Sequence, residues 1–435
     1  MSRAMKRKTQ SARPSQTPNS PIPALERRDP WILFALGVIL LLWNIDFPSK
    51  LNFDEFHYIP AAKNFLALSS NSNWEHPPLA KILIAIGIGI FGDQPLGWRA
   101  SAVLAGAATW AGVYALSWAL WRNRMAAWLG VLLSAFNFLL YVQGRIAMLD
   151  TFMMAFLIWG FAASVQILQT QSWESHQNQK WLKIFGLTFG AAIACKWAAL
   201  FPYALLTAWI GLDRLAKASN KIREFRQLAI SLVLIPAAVY FVTFLPYLLY
   251  QTPNYDFWSL FSLQKEMYLG QKRVVNSHPY LSDWMGWLWL QRPIWYAFDK
   301  EGEDWVRGVF LVGNPLLMIG GLPLLVWTAW RALKKTDFQS RWLIAIYASV
   351  FLIWAILPRK VTFYYYYYPA GMVLTLIWVQ AWTYCRSKLQ KSAIPLAIFL
   401  VAVSAGLFVY FFPILSAQKI PAESFRQFMW SDRWI

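Results

Sequence analysis

The 435-residue chain is 58% hydrophobic and only 14% charged, against about 25% charged in an ordinary globular domain. Several apolar runs approach or exceed the roughly 18 residues that mark a membrane-crossing helix, which argues against a soluble protein. Two cysteines, Cys195 and Cys385, without metal-ligand spacing, make a disulfide framework or a zinc site an unsuitable reading. The net charge of +19 would suit nucleic acid only if it gathered on one soluble face.

Residues 1–30 are basic and rich in Ser and Pro, and are expected to form a disordered cytoplasmic tail. They do not read as a signal peptide, because the apolar run starts late and lacks a small-residue cleavage site. Eleven spans are expected. They are Trp31 to about Ile45, Trp98–Leu120, Met125–Tyr141, Thr151–Leu168, Trp181–Ala194, Trp197–Leu212, Leu228–Tyr250, Val306–Trp330, Trp342–Leu357, Phe363–Trp382 and Ile394–Phe412. The segment ILIAIGIGIF after Pro78 is too short for a comfortable crossing and suits an interfacial or re-entrant helix. With the tail inside, the inner segments carry 23 of the 40 Lys and Arg and 6 of the 21 acids, net +17 inside and +2 outside. This satisfies the positive-inside rule at every loop. The charge is therefore mostly topology, and no nucleic-acid partner is implied.

The expected organisation is an all-α, single polytopic membrane domain over 31–415, with interfacial helices in its outside loops. A short outside tail follows at 416–435. The outside loops 46–97 and 251–305 hold most of the unusual polar residues and form the expected active-site face. Asp54 and Glu55 are adjacent and point about 100° apart on a helix. One suits a general base with the other orienting it, although Asp near a helix start is also a common cap. With His57 they offer ligands to a divalent cation, and roles as hydrogen-bond partners serve equally well. His76 precedes two prolines that begin the short apolar helix carrying Lys81. Both are substrate-positioning candidates, as are His57, Asp150 and His278. Arg145 and Asp150 bracket RIAMLD, and Lys196 sits inside AAIACKWAALF, where a cation needs a partner or must snorkel. An anionic lipid head group would pair Arg145 and Lys196; the alternative is an Arg145–Asp150 ion pair with a snorkelling Lys196. His278 opens an aromatic stretch suited to the head-group layer. Arg359-Lys360 leads into five tyrosines, Tyr364 to Tyr368. No Walker motif, Gly-rich nucleotide loop or HExxH is present, so nothing points to a nucleotide donor.

FDEFHY, HPPLAK, RIAMLD, KW, HPYLSDWMGWLWLQRPI and GNP occur in this order. The ordered set resembles the protein O-mannosyltransferases in their bacterial form, over about residues 30–415. The resemblance implies a GT-C type membrane transferase with eleven spans. Its donor would be polyprenyl-phosphate mannose, and its acceptor a Ser or Thr hydroxyl of an exported protein. Transfer would occur at the outer face of the plasma membrane, with inversion at the sugar. It further implies Asp54 as base beside Glu55, and Arg145, Lys196 and, less strongly, Arg359 as donor-phosphate ligands. Eukaryotic members carry a β-trefoil in the loop matching 251–305, which is too short here to hold one. Many relatives also have a His among the late tyrosines, where this chain reads FYYYYYP. The alternatives are a related transferase moving another sugar onto a lipid or glycan, and a lipid or solute transporter.

Overall fold

The computed structural model describes residues 28–170, 175–273, 278–334, 337–357, 359 and 361–434. Most of the expected N-terminal tail, and Lys360, lie outside the described residues. In chain order the helices begin with α1 (Asp29–Leu42), α2 (Glu55–Ala67), α3 (Leu79–Phe91) and α4 (Pro95–Trp121). Next come α5 (Arg124–Ala135), α6 (Phe138–Gln143), α7 (Leu149–Leu168), α8 (His176–Cys195) and α9 (Leu200–Lys217). A π-helical turn joins α10 (Lys221–Ala229) to α11 (Ile235–Val242), and α12 (Ser259–Arg273) and α13 (Trp284–Leu288) follow. Strands β1 (Ile294–Glu301) and β2 (Trp305–Leu311) form a hairpin before the helices resume. These are α14 (Pro315–Ile319), α15 (Gly321–Lys334), α16 (Phe338–Phe351), α17 (Ile353–Ile356), α18 (Tyr368–Leu389) and α19 (Ala393–Leu415), and β3 (Ile420–Pro421) comes last.

Each expected span falls largely on helix. Among the described residues, six continuous helical stretches are long and apolar enough to cross a membrane. They are Pro95–Trp121, Leu149–Leu168, Lys221–Leu249, Pro315–Lys334, Phe338–Ile356 and Tyr364–Leu415, the last containing both α18 and α19. Helices α4 and α7 are mostly buried and form the centre, whereas Lys221–Leu249 and Pro315–Lys334 expose most of their apolar side chains. That exposure suits a lipid-facing surface. Small residues let the central helices approach. A Cβ placed on Gly112 of α4 would stand 2.3 Å from Ile158 Cγ2 of α7, the close contact that helix packing in lipid relies on. A Cβ on Gly186 of α8 would stand 2.1 Å from the Ser231 carbonyl oxygen.

One expectation needs correction. The run Val306–Trp330 does not start as a span: Val306–Leu311 belongs to β2, and helix begins only at Pro315. The strands contain several aromatic and β-branched residues and flank a turn in which Gly302 has φ +70°, features that favour a hairpin over a helix. Pairing is antiparallel from Ile294–Leu311 to Glu301–Trp305, with an irregularity between Trp295 and Ala297. The C-terminal tail is folded onto this hairpin. β3 pairs with Trp305 and Val306, and the Trp434 indole N–H donates to the Leu290 carbonyl at 2.7 Å. The segments expected to lie outside thus hold short helices, α2, α3, α12 and α13, and a small antiparallel sheet.

Candidate active site

The segment leading to Asp54 is wrapped around one guanidinium. Arg99, in the second turn of α4, donates to the carbonyls of Ile45 (3.0 Å) and Pro48 (2.7 Å), and to that of Lys50 (3.3 Å). Its Nε and Nη2 each reach a Glu55 carboxylate oxygen at 2.9 Å. Both side chains are fully buried. Glu55 also accepts from the backbone N–H of Asn52 (3.2 Å) and Ala147 (3.1 Å). The pair is desolvated yet saturated with hydrogen bonds, the condition under which a buried ion pair persists. These contacts make Glu55 a clamp for the loop that carries Asp54. Arg99 escaped the sequence reading. Its only signal was a lone Arg near the start of a long apolar helix.

Phe53, with φ +49°, turns the chain in the left-handed region immediately before Asp54, a conformation that bulky residues adopt only when the surroundings enforce it. The clamp and this turn leave Asp54 half-buried at the start of α2. The hydroxyls of Tyr58 (3.1 Å) and Tyr365 (3.2 Å) both donate to its Oδ2. Oδ1 accepts nothing among the described residues, so one oxygen is held and the other is open. Burial and then Asp54 push the Tyr58 phenol well above its ordinary range, so it stays a donor. Neither tyrosine was singled out by the sequence reading as an Asp54 partner.

Beside this carboxylate lies a cationic group. Lys196, at the C-terminal end of α8, spans both Asp150 oxygens at 2.9 and 2.7 Å. Its Nζ also sits 4.9 Å and 4.7 Å from the ring centroids of Tyr365 and Tyr366. The Arg359 guanidinium lies over the same aromatic cluster, 5.2 Å from the Tyr366 centroid. Its Nε donates to the Val361 carbonyl at 3.0 Å, and its terminal nitrogens have no hydrogen-bond partner among the described residues. His76 packs edge-on to Tyr58 with centroids 6.1 Å apart. Burial, then the charges of Lys196, Lys81 and Arg359, hold its imidazole well below the usual range. A neutral His76 accepts at Nδ1 from the Gln271 amide of α12 at 3.3 Å. A small pocket of about 10 Å³ lies between α7 and α16–α17, bordered by Asp150 and Tyr366 and lined by apolar residues that include Met153, Leu157, Val350, Ile353 and Trp354.

The remaining expected residues divide. Lys81 is fully buried and donates to the Asn73 carbonyl and to the His76 carbonyl (2.8 Å). It supports the His76 loop from below, and burial brings it down to about 7. His278 packs edge-on against Phe53 and Phe363, with centroids at 5.5 and 5.3 Å, so it borders the site. His57 faces solvent. Arg145 does not pair with Asp150, which Lys196 occupies. It is buried against the Tyr141 hydroxyl (2.7 Å) and the Asn44 carbonyl (2.6 Å), making it a second brace for the loop before Asp54. Among the described residues no three His, Cys, Asp or Glu side chains converge to hold a metal. Glu55 is committed to Arg99, and His57 points away.

A polytopic helical bundle with a carboxylate and cations gathered at one end fits a membrane glycosyltransferase of the GT-C class. The fold agrees. The yeast Pmt1–Pmt2 protein O-mannosyltransferase complex bound to its sugar donor superposes with a TM-score of 0.82 at 15% identity, over 96% of this chain and 93% of that one. ArnT from Cupriavidus metallidurans bound to undecaprenyl phosphate gives 0.61 at 18% identity, over 89% and 65%. The chain belongs to the protein O-mannosyltransferase family: residues 91–250 match the dolichyl-phosphate-mannose-protein mannosyltransferase model, and residues 256–434 match its C-terminal four-span region. It is 25% identical to the polyprenol-phosphate-mannose–protein mannosyltransferase of Mycolicibacterium smegmatis over 94% of both chains. The Mycobacterium tuberculosis relative is 23% identical, over 88% of this chain and 86% of the other.

Proposed function

We propose that this protein moves mannose from a polyprenyl-phosphate donor onto Ser or Thr hydroxyls of exported proteins. The observation that carries the mechanism is the Asp54 carboxylate, with Oδ2 held by two phenols and Oδ1 open beside a cationic cluster. Asp54 Oδ1 takes the acceptor hydroxyl proton as the oxygen attacks the anomeric carbon. The bond from that carbon to the donor phosphate oxygen breaks, and polyprenyl phosphate leaves from the opposite face, so the centre inverts. Lys196 and Arg359 stabilise the charge gathering on the phosphate. Neutral His76 borders that phosphate position without adding a further charge. A lipid-linked donor explains the absence of any nucleotide-binding motif.

The site faces outward across the plasma membrane, with the N-terminus and the basic loops in the cytoplasm. The charge asymmetry supports this orientation. In this reading there are eleven crossings, the eighth starting at Pro315 after the hairpin, and α3 lies along the surface. Incubating the purified protein with polyprenyl-phosphate mannose and a Ser/Thr-rich peptide should add a hexose mass to the peptide. Asp54→Asn should remove that product. Sugar appearing on lipid or glycan while the peptide stays unmodified would overturn the reading.

A further inference from the structure

A second polar cleft lies away from Asp54, where α1 and α19 end. Asn44, just past α1, has φ +54°, and its amide donates to the carbonyls of Ser416 (2.9 Å) and Ala417 (3.1 Å), just past α19. The two helix ends are thereby tied at one level. Between them and the hairpin opens a cleft of about 350 Å³, lined by Trp43, Asn44, Arg307, Gln418 and Lys419. That is within the range of about 300–1,000 Å³ typical of small-ligand sites.

The lining is rich in donors. Arg307 uses Nε on Glu301 at 2.6 Å and Nη1 on the Ala417 carbonyl at 3.2 Å. Its Nη2 has no hydrogen-bond partner among the described residues, and neither does the Gln418 amide or the Trp43 indole N–H. Lys419 also shares Glu301, at 3.2 Å. Two cations against one carboxylate leave a net single positive charge. The guanidinium is fixed by stacking 4.1 Å from the Phe47 ring centroid, so its free edge is preorganised. The surface below the cleft is apolar. Helix α1 exposes Ile32, Leu36, Ile39 and Trp43, and α19 exposes Ile398, Phe399 and Val409. An exposed Trp at the end of such stripes marks a membrane–water boundary.

We infer that this cleft is a binding site for one anionic phospholipid head group, a monovalent phosphodiester, with its acyl chains lying along α1 and α19. Charge, donor excess and the apolar stripes converge on that ligand. The inference does not depend on the identity of the transferred sugar.

The test uses the full-length protein released from nanodiscs and examined by native mass spectrometry. Discs hold either phosphatidylcholine alone or phosphatidylcholine with phosphatidylglycerol. The wild type should retain one phosphatidylglycerol adduct and no comparable phosphatidylcholine adduct. Lys419→Gln should weaken retention about fivefold, as expected for one cation near the membrane surface. The double variant Arg307→Gln/Lys419→Gln should lose the adduct. Arg307→Lys keeps the charge but not the fork, and should retain less than the wild type; circular dichroism checks that each variant is folded. Glycerol 1-phosphate supplied in solution should not displace the lipid, since it lacks the chains. Retention unchanged in folded Lys419→Gln and double variants would overturn the proposal. So would full displacement by the soluble phosphate, or a double variant that alters only self-association.

Discussion

Asp54 is the residue on which the proposed chemistry turns, and its neighbours make the assignment testable. Asp54→Asn should lower kcat by about 10²–10⁴, the usual contribution of a positioned general base, with unfolding temperature and detergent extraction unchanged. Tyr365→Phe removes one of the two donors to Oδ2 and should reduce kcat by roughly tenfold, since a hydrogen bond to a charged group is worth about 1.5–3 kcal/mol. Peptide-transfer assays at saturating donor would separate this from a KM effect. His76 gives the pH behaviour. Its folded value lies well below its ordinary one, so at mildly acidic pH the unfolded chain binds a proton that the folded protein refuses. Stability from this group is present above about 6.5, the ordinary value for histidine. It is lost as pH falls through the window down to the depressed folded value. The thermal midpoint should therefore drop between pH 7.5 and 5.5, and His76→Gln should flatten that slope. An identical slope in the variant would remove His76 from the account.

The loop before α2 is held by side chains that never meet substrate. Arg99 and Glu55 form one saturated buried pair, and Arg145 braces the same loop from the α6–α7 side. Arg99→Leu leaves Glu55 charged, buried and unpaired. It should cost about 3–5 kcal/mol and remove activity together with the thermal transition, unlike Asp54→Asn, which should spare the fold. Following activity and unfolding on both variants distinguishes a clamp from a base. Helix α12 covers the other side. Gln271 donates to the Glu75 carbonyl at 2.9 Å as well as to His76, so this outside helix secures the His76 loop. Packing between α8 and α11 tolerates little. Gly186→Val would drive atoms into the Ser231 carbonyl, at a cost of about 1–3 kcal/mol, read as a lower unfolding temperature.

Taken together, the elements form a bundle whose polar groups collect at one end, covered there by short helices, a hairpin and the C-terminal segment. The hairpin depends on that segment: the Trp295 indole donates to the Trp434 carbonyl at 3.0 Å, and Ala422 N–H donates to the Asp304 carbonyl at 2.8 Å. Truncation after Ala417 should strip this cover, expose Trp295 and Phe310, and reduce solubility in mild detergent, measured by gel filtration. Orientation is open to direct labelling. In a Cys385→Ser background, Gly302→Cys in the hairpin turn should react with an impermeant maleimide in intact cells. Asn220→Cys, between α9 and α10, should react only after permeabilisation. The reverse pattern would invert the topology.

Much was legible in the amino-acid order because it depends on local composition. Apolar length identifies helices, and motif order points to the family. Asp54, His76, Lys196 and Arg359 stood out as polar residues next to hydrocarbon, and the fold brings them together. What composition cannot encode is which partner a buried charge chooses, since that depends on contacts between residues far apart in the chain. Arg145 looked like a partner for Asp150, five residues away, but Lys196 reaches Asp150 from α8 and Arg145 turns to Tyr141 and Asn44. Glu55 looked like a reacting group until Arg99, 44 positions away, consumed both its oxygens. The hairpin within Val306–Trp330 was hidden because its residues are as apolar as a span. Tertiary structure decided these cases because a desolvated charge must find its hydrogen bonds wherever the fold places them.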